Sequence, residues 1–585
     1  MADIDHDEAT AIASGWLADF SAAMNAAEAE AVSAVFLPFG WLRDVLTFSW
    51  DMRSLRGPEA ITSYLAESDR LAAAQVTNIR LSEDQQFRPT YSPGPGGPKS
   101  CVEAGFDYET QHALGRGYVR LAQSPDRRWK ALTLGMIMLD LKGYEEPVGP
   151  RPEWEDESLT WEEREETRRR QIETNPYVII VGGGHIGLTV AARFRQMNIP
   201  ALMIERNARI GESWRRRYKS LTLHTTKSHH QLLYQPFPSN WPIYSPATMI
   251  ADWLESYATT QRIVHWLSTS IEGKPVYDAA AKRWDITLSR GGQLVRLHPA
   301  HIVLATGTHG GPYTPELANS DAFNGTVLHA SAYVDGAPFA GRRVAVVGAA
   351  NTASDLCEDL VRGGAASVTM VQRGPACVVS RANIRRILDQ TWPPDTPPGP
   401  SDLKFAALPL GFIREMNIAQ QAQAWEAERE LHDKLRSGGL ELWLGPDGAG
   451  QFILGNSRGG GFWMDKGVGD LIGSGKVQVK RGIATAFSKN GLVFEDGSEL
   501  PADVVIFATG YVKMREYLKD IFGADVIDGT TECLGMDDEG ELKGHYRSSG
   551  HPGLWYAPGE FSIVRFMSKQ LAILIKAIEV GILKP

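Results

Sequence analysis

The segment PYVIIVGGGHIGLTVAARFRQMNIPALMIER constrains this chain more than any other. Tyr177 to Val181 is an apolar, β-rich run that predicts a buried parallel strand. Gly182, Gly184 and Gly187 follow in GxGxxG spacing, and Ile186, Val190 and Phe194 fall on one face of the helix after them. A second strand, Ala201 to Ile204, ends in Glu205 and Arg206. This order is that of a dinucleotide-binding βαβ unit. Gly182 permits the tight turn, Gly184 lets a pyrophosphate approach the backbone, and Gly187 lets helix and strand pack closely. The helix N-terminus offers free N–H groups to phosphate. Glu205 is placed to accept a ribose hydroxyl and would repel a 2′-phosphate, so FAD or NAD is expected here rather than NADP.

RRVAVVGAANTASDLCEDLVRGGAASVTMVQRG repeats the plan. Val344 to Val347 is the strand and Gly348 opens the turn, while Ala350 and Ala353 stand in for the second and third glycines. Asn351 and Thr352 lie at the helix start, where their side chains can bond phosphate or cap the helix. The following strand, Ser367 to Val371, ends in Gln372 and Arg373 instead of an acid. A guanidinium there can grip a 2′-phosphate through two N–H groups, so NADPH is expected at this second site. The methyl of Ala350 restricts how near a cofactor can come. The fold class expected is α/β, with two Rossmann-like dinucleotide-binding domains preceded by a small α+β domain.

That preceding domain spans residues 1–145. Trp16, Leu17, Phe20 and Met24 recur at helical spacing, and strand-like runs such as SCVEAGFDYET and RWKALTLGMIML follow the helices. Residues 146–172 read as a charged linker. Thr160 and Glu163 can form a capping box for its helix, whose blocks of Glu and Arg suggest a solvated spacer. The formal net charge of -10 and the lack of a long basic run argue against a nucleic-acid partner. Four cysteines lie far apart with no metal-ligand spacing, so no metal site is expected and a reducing, cytoplasmic setting is. The acidic start MADIDHDEAT does not read as a signal peptide. The apolar run Leu571 to Leu583 is broken by Lys576 and Glu579, and reads as an amphipathic helix packed on the body, not a membrane anchor.

Between the two fingerprints, FNGTVLHASAY places Phe323, Gly325, His329 and Tyr333 in the pattern FxGxxxHxxxY. This resembles the signature of the flavin-containing monooxygenases; in the related Baeyer–Villiger monooxygenases the last position is usually Trp. GESWRRRYKSLTLHTTKSHHQLLYQPFP resembles the family segment that wraps the flavin, carried here by Gly211, Trp214, Arg215 and His224. The turns Ala305-Thr306-Gly307 and Ala508-Thr509-Gly510 resemble the points where the family's chain leaves the FAD domain and returns to it. The resemblance covers roughly residues 173–585. Within it, the stretch from Leu223 to Ala258 is similar to plant indole-3-pyruvate monooxygenases and to fungal flavin monooxygenases with a fused N-terminal domain. The N-terminal domain itself resembles a SnoaL-like or ketosteroid-isomerase-like cone.

The resemblance implies an FAD-binding domain at 173–312 and 508–585, with an NADPH-binding domain and an insertion at 313–507. FAD would be held by Gly182, Gly184, Gly187, Glu205, Arg206, Trp214, His224 and Gly307. NADPH would be held by Gly348, Ala350, Asn351, Thr352, Ala353, Gln372 and Arg373, with Thr509 and Gly510 at the return. NADPH reduces FAD in such enzymes, and a flavin hydroperoxide formed with dioxygen passes one oxygen atom to a small organic substrate at a nitrogen, sulfur or carbonyl-carbon centre. No side chain is assigned as catalytic, because the cofactor carries the chemistry. His329 is expected to brace the hinge, and His229 and His230 to lie at the surface. Arg565 is expected to contact a phosphate, to close the flavin site, or to be an ordinary helix-end arginine. Asp44, Asp51 and Arg53 are taken as structural. Residues 377–461 match nothing diagnostic and are expected to form part of a substrate pocket or lid. The partners expected are a small-molecule substrate and dioxygen, and a homodimer is compatible with the sequence. A Baeyer–Villiger oxygenase and a redox sensor without oxygenase activity stay open as alternatives. A disulfide reductase is disfavoured for want of a close cysteine pair.

Overall fold

In a computed structural model of the chain, residues 2–94, 97–147, 149 and 158–584 are described. The linker residues 148 and 150–157 therefore lie outside the described residues. Two parallel sheets of five strands form the centre. The first runs His265–Trp266, Ala201–Ile204, Val178–Val181, His301–Leu304, Leu554–Tyr556 in spatial order. The second runs Thr326–His329, Val504–Phe507, Arg343–Val347, Ser367–Gln372, Val477–Arg481. Most of these strands are buried on both faces, which is why they read as unbroken Val/Ile/Leu runs.

The two units share more than their fingerprints. Each continues from its second strand to an outer parallel strand. Each then makes a three-stranded antiparallel sheet, at residues 269–297 in the first and 484–501 in the second. Each re-enters its own parallel sheet on a strand that ends in Ala-Thr-Gly. The chain crosses between units on His309–Pro312 and Tyr511–Lys513, which pair antiparallel.

The N-terminal domain is α+β. Helix Ala2–Ala26 and shorter helices cover a seven-stranded sheet, antiparallel except where Phe36–Val45 pairs parallel with Trp129–Leu141. Trp16, Leu17, Phe20 and Met24 all lie in its core. Helix Trp161–Thr174 carries the expected capping box between Thr160 and Glu163. It is not a free spacer, however. Ile172 is buried against Ile179, Leu202 and Ile204, Glu165 pairs with Arg195 at 2.9 Å, and Arg168 donates to the Arg262 carbonyl. The apolar Ile172, one residue among many charges, is what the charge pattern concealed. The C-terminal helix Phe561–Glu579 is buried over most of its circumference and packs on the first fingerprint helix, His185–Gln196. Among the described residues no helix is long and apolar enough to cross a membrane.

The N-terminal domain is held to the rest by apolar packing, in which Ile137, Met138 and Leu141 share one buried cluster with Ala407 and Leu571, and by charge. Arg43 makes two bonds to Glu541, Nε to Oε1 at 2.8 Å and Nη2 to Oε2 at 2.7 Å, and donates a third to the Ala406 carbonyl. Ser54 Oγ donates to Glu541 at 2.6 Å. Both partners are buried. Around them lie Arg53 with Glu539 and Asp51 with Arg547. Burial alone would raise the Glu541 carboxyl, but Arg43 and Ser54 outweigh it and hold it below the ordinary range. Gly135 touches Ala407 so closely that a Cβ there would lie 2.6 Å from the alanine methyl. Asp51 and Arg53 thus have a structural role. Asp44 does as well: it accepts the backbone N–H groups of Thr47, Phe48 and Ser49 and the hydroxyl of Tyr64. Glu541→Ala would strand a buried guanidinium, which typically costs about 3–5 kcal/mol. The variant is expected to melt several degrees lower by differential scanning calorimetry; an unchanged transition would show that the pair contributes nothing.

Candidate functional site

The first fingerprint turn is shaped by three glycines under different constraints. Gly182 has φ +114°, and a Cβ on it would sit 2.5 Å from the Ala305 carbonyl oxygen. A Cβ on Gly187 would sit 1.9 Å from the Gly182 carbonyl oxygen. Gly184 is different: nothing lies within 4 Å of where its Cβ would be. Packing therefore requires the outer two glycines, while the middle one faces open space at the N-terminus of helix His185–Gln196. That is the form of a cradle for a pyrophosphate. Gly307, φ +99°, also faces open space, and beside it the Thr306 hydroxyl is buried without a partner. An orphaned buried hydroxyl of this kind wants a ligand.

Glu205 ends its strand within this turn. Its Oε2 accepts from Gly183 N at 2.7 Å and its Oε1 from Asn207 N at 2.8 Å. Arg206 is exposed and reaches only the Tyr517 hydroxyl, at 3.4 Å. A residue that sequence reasoning passed over closes the other side. His185, between the second and third glycines, stacks on Phe561 with ring centroids 4.3 Å apart, and Trp214 flanks both rings. Its Nε2 lies 3.3 Å from the Gly559 carbonyl. Its position inside the fingerprint was a signal; its stacking partner, far away in sequence, was not. Burial lowers the His185 pKa from its ordinary 6.5 to about 4.

The second unit copies this geometry. Gly348 has φ +134°, and a Cβ on it would lie 2.4 Å from the Ala508 carbonyl oxygen. Gly510 faces open space, as Gly307 does. Ala350 caps helix Asn351–Arg362, and Ala353 is fully buried within it. Asn351 Oδ1 accepts from Met464 N at 3.0 Å, which leaves its amide N–H₂ for a ligand; Thr352 is half-buried at the helix start. Gln372 is turned inward, exchanging two hydrogen bonds with the backbone of Glu441. It braces the strand end and does not present its amide to a cofactor. Arg373, next along, is exposed and has no ion pair among the described residues.

The signature residues are braces. Gly325 leaves no room for a side chain against Phe323 and the Asp503 carbonyl. His329 Nδ1 accepts from Ser331 N at 3.1 Å, so Nε2 carries the proton and donates to the Gly510 carbonyl at 3.0 Å. Tyr333 is buried and donates to Asp359 at 2.8 Å. Thr509 donates to the Tyr313 carbonyl. His329 and Thr509 clamp the crossover between the two units, while Gly325 and Tyr333 brace the second.

Other expectations change. His229 and His230 are buried: a T-shaped contact sets His229 against Trp392, and His230 Nε2 lies 2.8 Å from Ser245 Oγ. Their polar sequence context hid the loop's inward turn. Arg565 is neither a phosphate ligand nor a surface helix end. It is buried, bidentate to Asp402 at 2.8 and 2.7 Å, and donates to the carbonyls of His229 and Gln231. His224 bonds Asp355 of the second unit's helix at 3.1 Å, beside the Tyr218 hydroxyl at 2.6 Å, so it ties the post-fingerprint loop to the second unit. Arg215 is taken up by the Ile210 carbonyl, Asp252 and Glu255.

The flavin-binding monooxygenase-like family pattern matches residues 177–523. The chain belongs to that family. An indole-3-pyruvate monooxygenase of Oryza sativa subsp. japonica (YUCCA1) is 29% identical over 355 residues, 59% of this chain and 79% of the relative. A second, YUCCA8 of Oryza sativa subsp. indica, is 30% identical over 339 residues, 57% of this chain and 75% of the relative. Cyclohexanone monooxygenase from Rhodococcus sp. Phi1, in a structure bound to NADP⁺, superposes with a TM-score of 0.50 at 16% identity, covering 70% of this chain and 85% of that one. The fold is thus that of the family, with two Rossmann-type domains.

Two outcomes follow from the site. Gly187→Val is expected to be misfolded, whereas Gly184→Val is expected to keep its circular dichroism and lose bound flavin. A yellow Gly184→Val protein would exclude this turn as the flavin site. Separately, His185 is neutral in the fold. Its stabilising effect is therefore complete above about pH 6.5 and lost as pH falls toward 4, worth about 3 kcal/mol across that window. The melting temperature is expected to drop through that range, and less steeply in His185→Phe, which keeps the stack without the titration.

Proposed function

We propose that the chain is an NADPH- and dioxygen-dependent flavin monooxygenase, with FAD at the first unit and NADPH at the second, acting on a nitrogen, sulfur or carbonyl-carbon centre of a small organic substrate. The observation that carries the assignment is the contrast between the two strand ends. Glu205 stands beside the open cradle of Gly184, and its counterpart in the second unit is the neutral Gln372, turned inward; there no acid faces the cofactor, and Arg373 is exposed with no ion pair among the described residues. A carboxylate suits a free ribose; a free guanidinium suits a ribose carrying phosphate.

The residues present fit the flavin. The N–H groups at the start of helix His185–Gln196 would meet its pyrophosphate, and Glu205 its ribose. The Thr306 hydroxyl supplies a buried polar contact. Bound flavin supplies the redox and oxygen chemistry; the chain binds, orients and shields. Stacked His185 and Phe561, with Trp214 against them, exclude water from one wall. His185 does not carry a positive charge there near neutral pH, since burial keeps it neutral. In the second unit, the amide of Asn351 and the helix start would hold phosphate, and Arg373 would select NADPH over NADH.

The experiment is direct. Purified protein should be yellow and should consume NADPH and oxygen together. Arg373→Ala removes a charge-assisted bond typically contributing about 1.5–3 kcal/mol, so KM for NADPH should rise by roughly one to two decades while KM for NADH barely moves. Equal damage with both nucleotides would show that Arg373 does not read the 2′-phosphate.

A further inference from the structure

Besides the dinucleotide cradles, the structure holds a cavity of about 60 Å³ where three parts of the chain meet. Trp392, Phe405, Phe452 and Asn456 of the insertion line it, together with Ile563 and Phe566 of the C-terminal helix. Arg43 reaches its wall from the N-terminal domain. It adjoins the flavin cradle through one turn of chain. Ser562 and Ile563 line the cavity, and the residues just before them, Gly559 and Phe561, bond and stack His185 at the fingerprint helix start.

The charge state of the wall limits what can enter. Two ionic groups border the cavity, and both are fully engaged elsewhere. Arg43 is bidentate to Glu541 and donates to the Ala406 carbonyl. Asp402 is bidentate to Arg565 and also accepts the Trp392 indole N–H at 2.7 Å. Neither can turn to a ligand without stranding a buried partner charge. Ser562 Oγ donates to Glu560. The remaining polar side chain is the Asn456 amide: its Oδ1 has no partner among the described residues, and its nitrogen donates one of two N–H groups to the Phe452 carbonyl at 2.9 Å. The rest is aromatic and aliphatic. An entering ion would therefore lose its hydration and gain no counter-charge. A volume of this size accommodates only a few heavy atoms, since one water needs roughly 10–15 Å³ by the same measure.

We propose that this cavity is the substrate subsite, that it takes the compact apolar end of an uncharged molecule, and that the Asn456 amide contributes its one free polar side chain. This rests on the monooxygenase reading above and narrows it. It sets the chain apart from the rice relatives, whose named substrate, indole-3-pyruvate, is an anion at neutral pH. It also makes the N-terminal domain part of the pocket wall.

The test uses the flavin-loaded full chain and three small sulfides of one chain length: butyl methyl sulfide (neutral), 3-(methylthio)propanoate (anionic) and 3-(methylthio)propylamine (cationic). Sulfoxide formation and the change in the oxidised flavin spectrum on titration are both read. The neutral sulfide is expected to be at least tenfold better than either ion in kcat/KM and in apparent Kd. Phe452→Trp, which fills the cavity, is expected to raise KM for the neutral sulfide at least fivefold; Ile563→Phe fills it from the C-terminal helix should the first variant not fold. Equal use of the ions, failure of the neutral sulfide to bind, or an unchanged KM in a folded, flavin-loaded filling variant would overturn the proposal. Should the wild-type protein hold no flavin and leave NADPH untouched, the monooxygenase reading would fall and this one with it. A yellow, NADPH-oxidising protein that ignores charge would overturn the subsite alone.

Discussion

The whole arrangement depends on a contact between two backbones. In each unit the first turn of the fingerprint presses against the carbonyl that ends the neighbouring strand, Gly182 against Ala305 and Gly348 against Ala508. At 2.5 and 2.4 Å from a notional Cβ, neither position admits any side chain, and both backbones adopt positive φ. This contact sets the depth of the cradle, because it fixes the helix start relative to the sheet edge. It also explains why each Ala-Thr-Gly turn follows its strand where it does: the alanine carbonyl forms the floor and the glycine opens toward solvent.

Electrostatics then divides the labour between two units of one plan. The strand-end position that carries Glu205 in one carries Gln372 in the other, and each is followed by an arginine, Arg206 and Arg373. Their neighbourhoods differ as well. Glu205 is oriented by two backbone N–H groups and is thereby fixed within the turn. Arg373 is held by nothing among the described residues and remains available. Outside the cradles, charge acts as mortar: the buried pairs Arg43–Glu541 and Arg565–Asp402 join elements hundreds of residues apart and leave no free ion in the cavity they border.

The sequence made the two units legible because their signals are local: apolar runs, glycine spacing and a terminal acid or base all lie within about thirty residues. The signature FxGxxxHxxxY was equally local, and the bracing role expected of His329 agrees with both of its ring nitrogens being engaged. The two antiparallel three-stranded sheets went unread, since short alternating strands carry a weak pattern. Long-range contacts were invisible. Nothing near Arg565 announces Asp402, nothing near His185 announces Phe561, and the inward turn of His229 and His230 is decided by Trp392 and Ser245 packing from elsewhere. Gln372 was misjudged for the same reason: its partner, Glu441, lies across the insertion.

The N-terminal domain grips both halves of the enzyme with one side chain. Through Glu541, Arg43 holds the stretch that returns to the first sheet; through the Ala406 carbonyl it holds the insertion carried by the second unit. The two units are otherwise joined covalently by only two crossing strands, clamped at His329. Arg43 thus bridges stretches carried by both units. A domain with no dinucleotide fingerprint of its own works as a strut, with the buried Arg43–Glu541 pair at the centre of a wider seam of ion pairs and apolar contacts that bears on both units.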